Sequence, residues 1–179
     1  PDGNIEVSFL PMADLSVRNF QVKPVQTKKL SETKGYTYFE ERDVLLAKIT
    51  PCFENGKVGL VRTLKNGMGF GSTEYYVFRA KDQILPEYVF FCLLETRFLQ
   101  EGERSMTGAA GQQRITKSFI NNYEISLPDL PTQHRIVAEL EAELRVIEGA
   151  RQLQAAMEAR VRAVIGRVWG NPNQTTATA

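Results

Sequence analysis

With Asp2 upstream, Glu32-Thr33-Lys34 echoes the carboxylate-and-lysine pattern of metal-dependent nucleases. The echo is weak. Asp2 stands beside the terminus, where chains fray, and Glu-x-Lys is common by chance. The single histidine, His134, cannot build a multi-histidine metal site. Cys52 and Cys92 fall in apolar stretches and form no Cys-x-x-Cys pair, so a zinc ribbon or redox motif is excluded. They read as buried free thiols of a reducing compartment, the cytoplasm, in preference to a disulfide. No phosphate-cradling P-loop is present. Asn171-Pro172-Asn173 is not the Asn-Pro-Pro-Tyr/Phe tetrapeptide of adenine methyltransferases. One histidine and two inert thiols are poor material for nucleophilic catalysis. What remains is the chemistry of binding, with no catalytic, metal or cofactor site assigned to the chain.

Charge is where binding chemistry is visible. Net charge is +1, and residues 1–131 carry 16 basic and 16 acidic side chains. The distribution is uneven. Arg18, Lys23, Lys28, Lys29 and Lys34 are opposed between Val17 and Gly35 only by Glu32. Lys57, Arg62 and Lys65 face no acid between Asn55 and Thr73, nor do Arg104, Arg114 and Lys117 between Arg104 and Lys117. Two readings stand: a positive face on a neutral domain, or ordinary solvated loops. Charge alone favours the second.

The elements that must position these residues follow from hydropathy. The chain has 179 residues, 42% hydrophobic and 24% charged, enough for one globular domain with an appended element. No run approaches the roughly 18 apolar residues of a membrane helix, so no membrane partner is expected. Pro-Asp-Gly-Asn at the N-terminus has neither a signal core nor an initiator Met, so the chain reads as a processed product or a piece of something longer. Short strands are expected at Phe9–Met12, Val44–Thr50, Val58–Arg62 and Glu74–Arg79, with a turn at Glu54–Lys57. Gly67–Gly71 reads as a glycine-rich loop. Pro86–Leu99 takes helical spacing behind its proline. Thr107–Gln113 is a polar loop, Thr116–Ile120 a helical turn, and Tyr123–Leu127 a final strand.

Composition shifts after Pro131. Ile136, Leu140, Leu144, Ile147, Ala150, Leu153, Met157, Val161, Val164 and Val168 recur in threes and fours, with one irregularity near Gly149. The pattern predicts an amphipathic helix of about 55 Å with a narrow apolar stripe. A globular part of this size cannot cover such a stripe, so a partner helix is expected. The alternative is a fold-back into two shorter helices at Gly149.

Taken in order, several segments resemble the target recognition domain of type I restriction–modification specificity subunits. They are Glu41–Thr50, Glu54–Lys57, Gly71–Arg79, Gly108–Ile115 and Leu127–Val137. The last, a proline-bounded run into Gln-x-Arg-Ile-Val and a long helix, is the most characteristic. The resemblance implies an α+β chain. Residues 1–131 would be a mixed α/β target recognition domain and 132–168 a coiled-coil-forming helix; by composition, polar and small, 169–179 reads as a disordered tail. The resemblance also implies a DNA-reading module without catalysis of its own. That module reads one half of a split duplex target and docks two modification (methyltransferase) subunits, which bind S-adenosylmethionine and methylate adenine. A restriction subunit can join. A full subunit carries two such domains and two long helices, so one domain and one helix imply a fragment or a half-subunit that pairs with a second copy of itself.

Under that implication the residues acquire roles. Arg18, Lys23, Lys28, Lys29, Lys57 and Lys117 can supply phosphate contacts. Gln112 and Gln113 can pair bidentately with adenine, and Arg114 with guanine. Gly108 and Gly111 allow close backbone approach, and Thr73 follows a second glycine-rich loop. Glu74 could accept from cytosine, although a strand-edge ion pair suits Glu74 and Lys48 better. Gln112 and Arg114 can instead brace the loop, with sequence read at Arg18, Lys23, Lys28 and Lys29. Tyr75 and Tyr76 suit the core. A coiled-coil scaffold without a DNA role and a metal-dependent nuclease remain as alternatives.

Overall fold

The structure is a computed structural model that describes residues 3–17, 19–24 and 26–169. Asp2, Arg18 and the tail beyond Trp169 lie outside the described residues. The chain divides into two compact units, residues 1–137 and 138–179.

The first unit holds two four-stranded sheets. One has the order β3 (Gln26–Lys29), β1 (Glu6–Leu10), β7 (Met68–Gly71), β4 (Thr37–Glu40). The other runs β2 (Asn19–Val22), β6 (Val58–Val61), β5 (Val44–Ala47), β8 (Tyr75–Phe78). β1 runs parallel to β7 and β2 to β6; the remaining pairs are antiparallel. Strands β5 and β6 are buried along their whole length, which is why both read as apolar runs. Leu10 and Phe39 from one sheet meet Val22, Leu45, Val61 and Tyr75 from the other in a single apolar cluster.

Several expectations change. The glycine-rich run is not a loop: Met68–Gly71 is the strand β7, between β1 and β4. The Phe39 ring fills the space where a side chain on Gly69 would stand, so glycine is required there by packing and not by a turn. The expected helix Pro86–Leu99 is two helices, α1 (Pro86–Cys92) and α2 (Thr96–Arg104). Glu95 starts α2 by taking extended geometry and accepting the Arg97 N–H. This second start places Phe98 against Phe53, Phe119 and Tyr123. Tyr123–Leu127 joins no sheet; Tyr88 Oη donates to the Ser126 carbonyl at 2.9 Å instead. Between them lies α3 (Lys117–Asn122), capped by Thr116, which accepts the Phe119 N–H.

The long helix α4 (Leu130–Trp169) has 40 residues and passes through Gly149 without a break, which overturns the fold-back alternative. One interior glycine costs about 1 kcal/mol, too little to end a helix of this length. The helix starts two residues earlier than its periodicity indicates, because Asp129 accepts the Thr132 N–H and Pro131 is tolerated in a first turn. It ends one residue later than expected, at Trp169. No helix of the described residues is long and apolar enough to cross a membrane.

Candidate nucleic-acid interface

The three basic segments meet different fates in the fold. In the first, β3 is an edge strand with Lys28 opposite Val7 and Lys29 opposite Glu6. Lys23, Lys28, Lys29 and Lys34 form no ion pair with any described residue. The Lys28 ammonium lies 4.7 Å from the Phe9 ring centre and 5.6 Å from that of Tyr36. Glu6 is taken by Lys65, whose hydrogen bond and charge, with a smaller contribution from Lys29, hold its carboxyl below the ordinary value. Lysines on an edge strand also guard it against pairing with another chain.

The second segment is mostly consumed internally. Lys57 Nζ donates to the Met12 carbonyl at 3.1 Å. Arg62 pairs with Glu87 at 2.6 Å, and Arg42 reaches the same carboxylate at 3.5 Å. Thr73 is exposed at the turn before β8.

In the third segment, Arg104 and the exposed Lys117 have no ion-pair partner among the described residues. Arg114 is engaged. Its Nε donates to Glu74 at 2.9 Å, one terminal nitrogen donates at 2.7 Å, and the other reaches the Gln112 carbonyl at 3.0 Å. These bonds hold the Glu74 carboxyl below its ordinary range and push the Arg114 guanidinium up. Lys48 is not the partner of Glu74; its ammonium stands 5.4 Å over the Tyr76 ring. Tyr75 is buried in the core as expected, and Tyr76 is half-buried with its Oη donating to the Ile115 carbonyl.

Backbone bonds complete a closed loop. Thr107 and Arg114 exchange N–H···O bonds of 3.0 and 2.9 Å, and Gln112 N–H closes a turn on Ala109. Gln113 O accepts from Thr50, and Ile115 N–H donates to Lys48 O, which stitches the loop to the end of β5. Gly108 and Gly111 take positive φ, +128° and +78°, which favours glycine over any larger residue. Gly111 and Gln112 are exposed at the tip; Gln113 is half-buried.

Residues 5–159 match the family described as the type I restriction modification DNA specificity domain. The chain belongs to that family. The specificity subunit of type I restriction enzyme EcoEI from Escherichia coli is 42% identical over 138 residues, which cover 76% of this chain and 23% of the relative. That of EcoAI, also from Escherichia coli, is 41% identical over the same extent. The chain therefore spans under a quarter of the length of these relatives. The fold of this specificity domain is shared with the HsdS subunit from Thermoanaerobacter tengcongensis. The TM-score is 0.68 at 20% identity, across 99% of this chain and 46% of that one.

Within the specificity domain, the chemistry of the characteristic segment rests on a residue to which its sequence gave no role. Gln133 is fully buried. Its Oε1 accepts the Leu85 N–H at 2.9 Å, and its Nε2 donates to the carbonyls of Gln83 and Pro128 at 2.9 and 2.8 Å. A glutamine in the first turn of a helix, behind two prolines, was its only signal.

Along α4 the expected pairing positions separate into two groups. Ile136, Leu140 and Leu144 are half-buried. Ile147, Leu153, Met157, Val161 and Val164 are exposed, Leu153 at 66% and Met157 at 60%.

Proposed function

We propose that the chain is a DNA-recognition module of a type I restriction–modification system. Its globular part reads one half of a bipartite duplex target, and its long helix pairs with another helix. That helix belongs to a second copy of the chain or to the other half of a specificity subunit. Methyl transfer to adenine belongs to modification subunits that bind S-adenosylmethionine, and cleavage to a restriction subunit; this chain supplies recognition and placement, in the cytoplasm.

The observation that carries the reading is the division of charge within a member of a DNA specificity family. Most cations of the second segment are neutralised or engaged within the fold, while Lys23, Lys28, Lys29 and Lys34 have no ion-pair partner among the described residues and can meet phosphate. The braced loop presents Gln112 and Gln113 for base edges, and the exposed stripe of α4 supports helix pairing.

Binding of the full chain to duplex DNA is measured across a salt series. Log affinity falls linearly with log salt, at about 0.9 per phosphate neutralised. The double variant Lys28→Ala, Lys29→Ala shallows that slope by about two. A chain that ignores duplex at low salt, alone and with a modification subunit, leaves only the scaffolding alternative.

A further inference from the structure

The β3-β1-β7-β4 sheet carries aromatic rings in register across three neighbouring strands. Phe9 of β1 is the ladder partner of Phe70 of β7, and Phe70 is the partner of Tyr38 of β4. Partners in a ladder point to the same face, so the three side chains form one row across the sheet. Tyr38 and Phe70 lie 5.3 Å apart, ring centre to ring centre. Tyr36, just before β4, closes edge-on over Phe9 at 4.8 Å. Phe9 is thereby covered, but Tyr36 remains 40% exposed and Tyr38 42%. The electrostatics of the patch are one-sided. Glu40, which accepts the Tyr38 hydroxyl, is matched by Arg79 at 3.1 Å, whereas Lys28 beside Phe9 and Tyr36 has no acidic partner among the described residues.

We propose that this sheet face is a stacking platform for unpaired nucleotides of single-stranded nucleic acid. The exposed Tyr36 and Tyr38 rings, with the half-buried Phe70 between strands, offer apolar surface about one strand spacing apart, and every base has a face that can stack on it. The neighbouring Lys28 ammonium, held over the Phe9 and Tyr36 rings without an acidic partner among the described residues, suits the phosphates that join stacked bases. An apolar protein segment would use the rings without needing Lys28. Duplex DNA hides its base faces and cannot use the rings at all, so this face does work that the duplex-reading loop cannot.

The inference shares Lys28 with the duplex reading but rests on rings that duplex cannot use, and one experiment on those rings separates the two. The full chain is titrated with a labelled oligothymidylate of about twelve nucleotides and, side by side, with duplex. Single-strand binding is expected to weaken about tenfold in Tyr38→Leu and again in Phe70→Leu. Leucine keeps apolar bulk and loses the ring face. Tyr38→Phe, which keeps the ring, retains binding, and all three variants bind duplex as the wild type does. Thermal unfolding of each variant confirms that it is folded. The proposal is overturned if the wild type ignores the single strand, or if folded leucine variants bind it unchanged. It is overturned equally if those variants alter only association with a protein subunit. A wild type that binds the single strand but not duplex would sink the duplex reading and leave this one standing.

Discussion

Glu74 and Arg114, 40 residues apart in the chain, meet side-on in a two-pronged ion pair with N–O distances of 2.9 and 2.7 Å. Glu74 leads into β8, and Arg114 closes the loop that carries Gly108, Gly111 and Gln112. The pair therefore sets the outline of the loop before any ligand arrives. Charge-assisted, bidentate bonds of this kind fix geometry as well as adding attraction.

If Arg114 braces the loop, Glu74→Gln and Arg114→Ala should weaken duplex binding to the same degree. The double variant should then be no worse than either single one. Competition binding against a cognate target checks this. Were Arg114 a base reader, Glu74→Gln would free it, and the two losses would diverge.

The same pair gives a pH dependence. Hydrogen bonds from Arg114 come first, aided by the charges of Arg114 and Lys48 and opposed by partial burial; together they hold the Glu74 carboxyl below 4.5. A lowered folded value means that the stabilisation is complete above about pH 4.5 and is lost as pH falls through the folded value. Melting temperature followed from pH 7 to pH 3 should therefore fall less steeply at the acid end in Glu74→Gln than in the wild type.

Gln133→Leu deprives one buried N–H and two carbonyls of their partner. A loss of about 2–4 kcal/mol is expected in urea unfolding, larger than for a surface change. Faster hydrogen exchange at Leu85 would locate the damage.

Gly69→Ala drives a methyl group into the Phe39 ring. Overpacking of this kind costs about 1–3 kcal/mol. Phe39→Leu makes room, so the double variant should regain part of the loss in the same unfolding assay.

Met157→Asp or Val161→Asp places a charge in the exposed stripe of α4. Mass in solution, measured by light scattering, should drop to that of one chain, while the circular dichroism of the globular part is kept. Unchanged mass would mean that the helix does not pair along this stripe.

Local pattern determined much of this protein. The buried runs of β5 and β6, the aromatic β8 and the threes and fours of α4 each announce themselves within a dozen residues, because burial and periodicity are properties of neighbours. The order of the motifs likewise pointed to the specificity family. The other sheet was less legible. Only the end of β1 stood out, while β3 is Gln-Thr-Lys-Lys on an edge, β4 is a short mixed run, and β7 is half glycine, none with a clean alternation. Its rings lie in strands whose pairing no local signal gives. The site divides in the same way. The polar loop and its glycines could be read, but which cations stay free could not. Arg62 finds Glu87 across 25 residues, Arg114 finds Glu74 across 40 and Lys65 finds Glu6 across 59. Those meetings are set by how the strands pair, and pairing is decided by packing at long range, so only the folded chain reveals which charges remain without a partner.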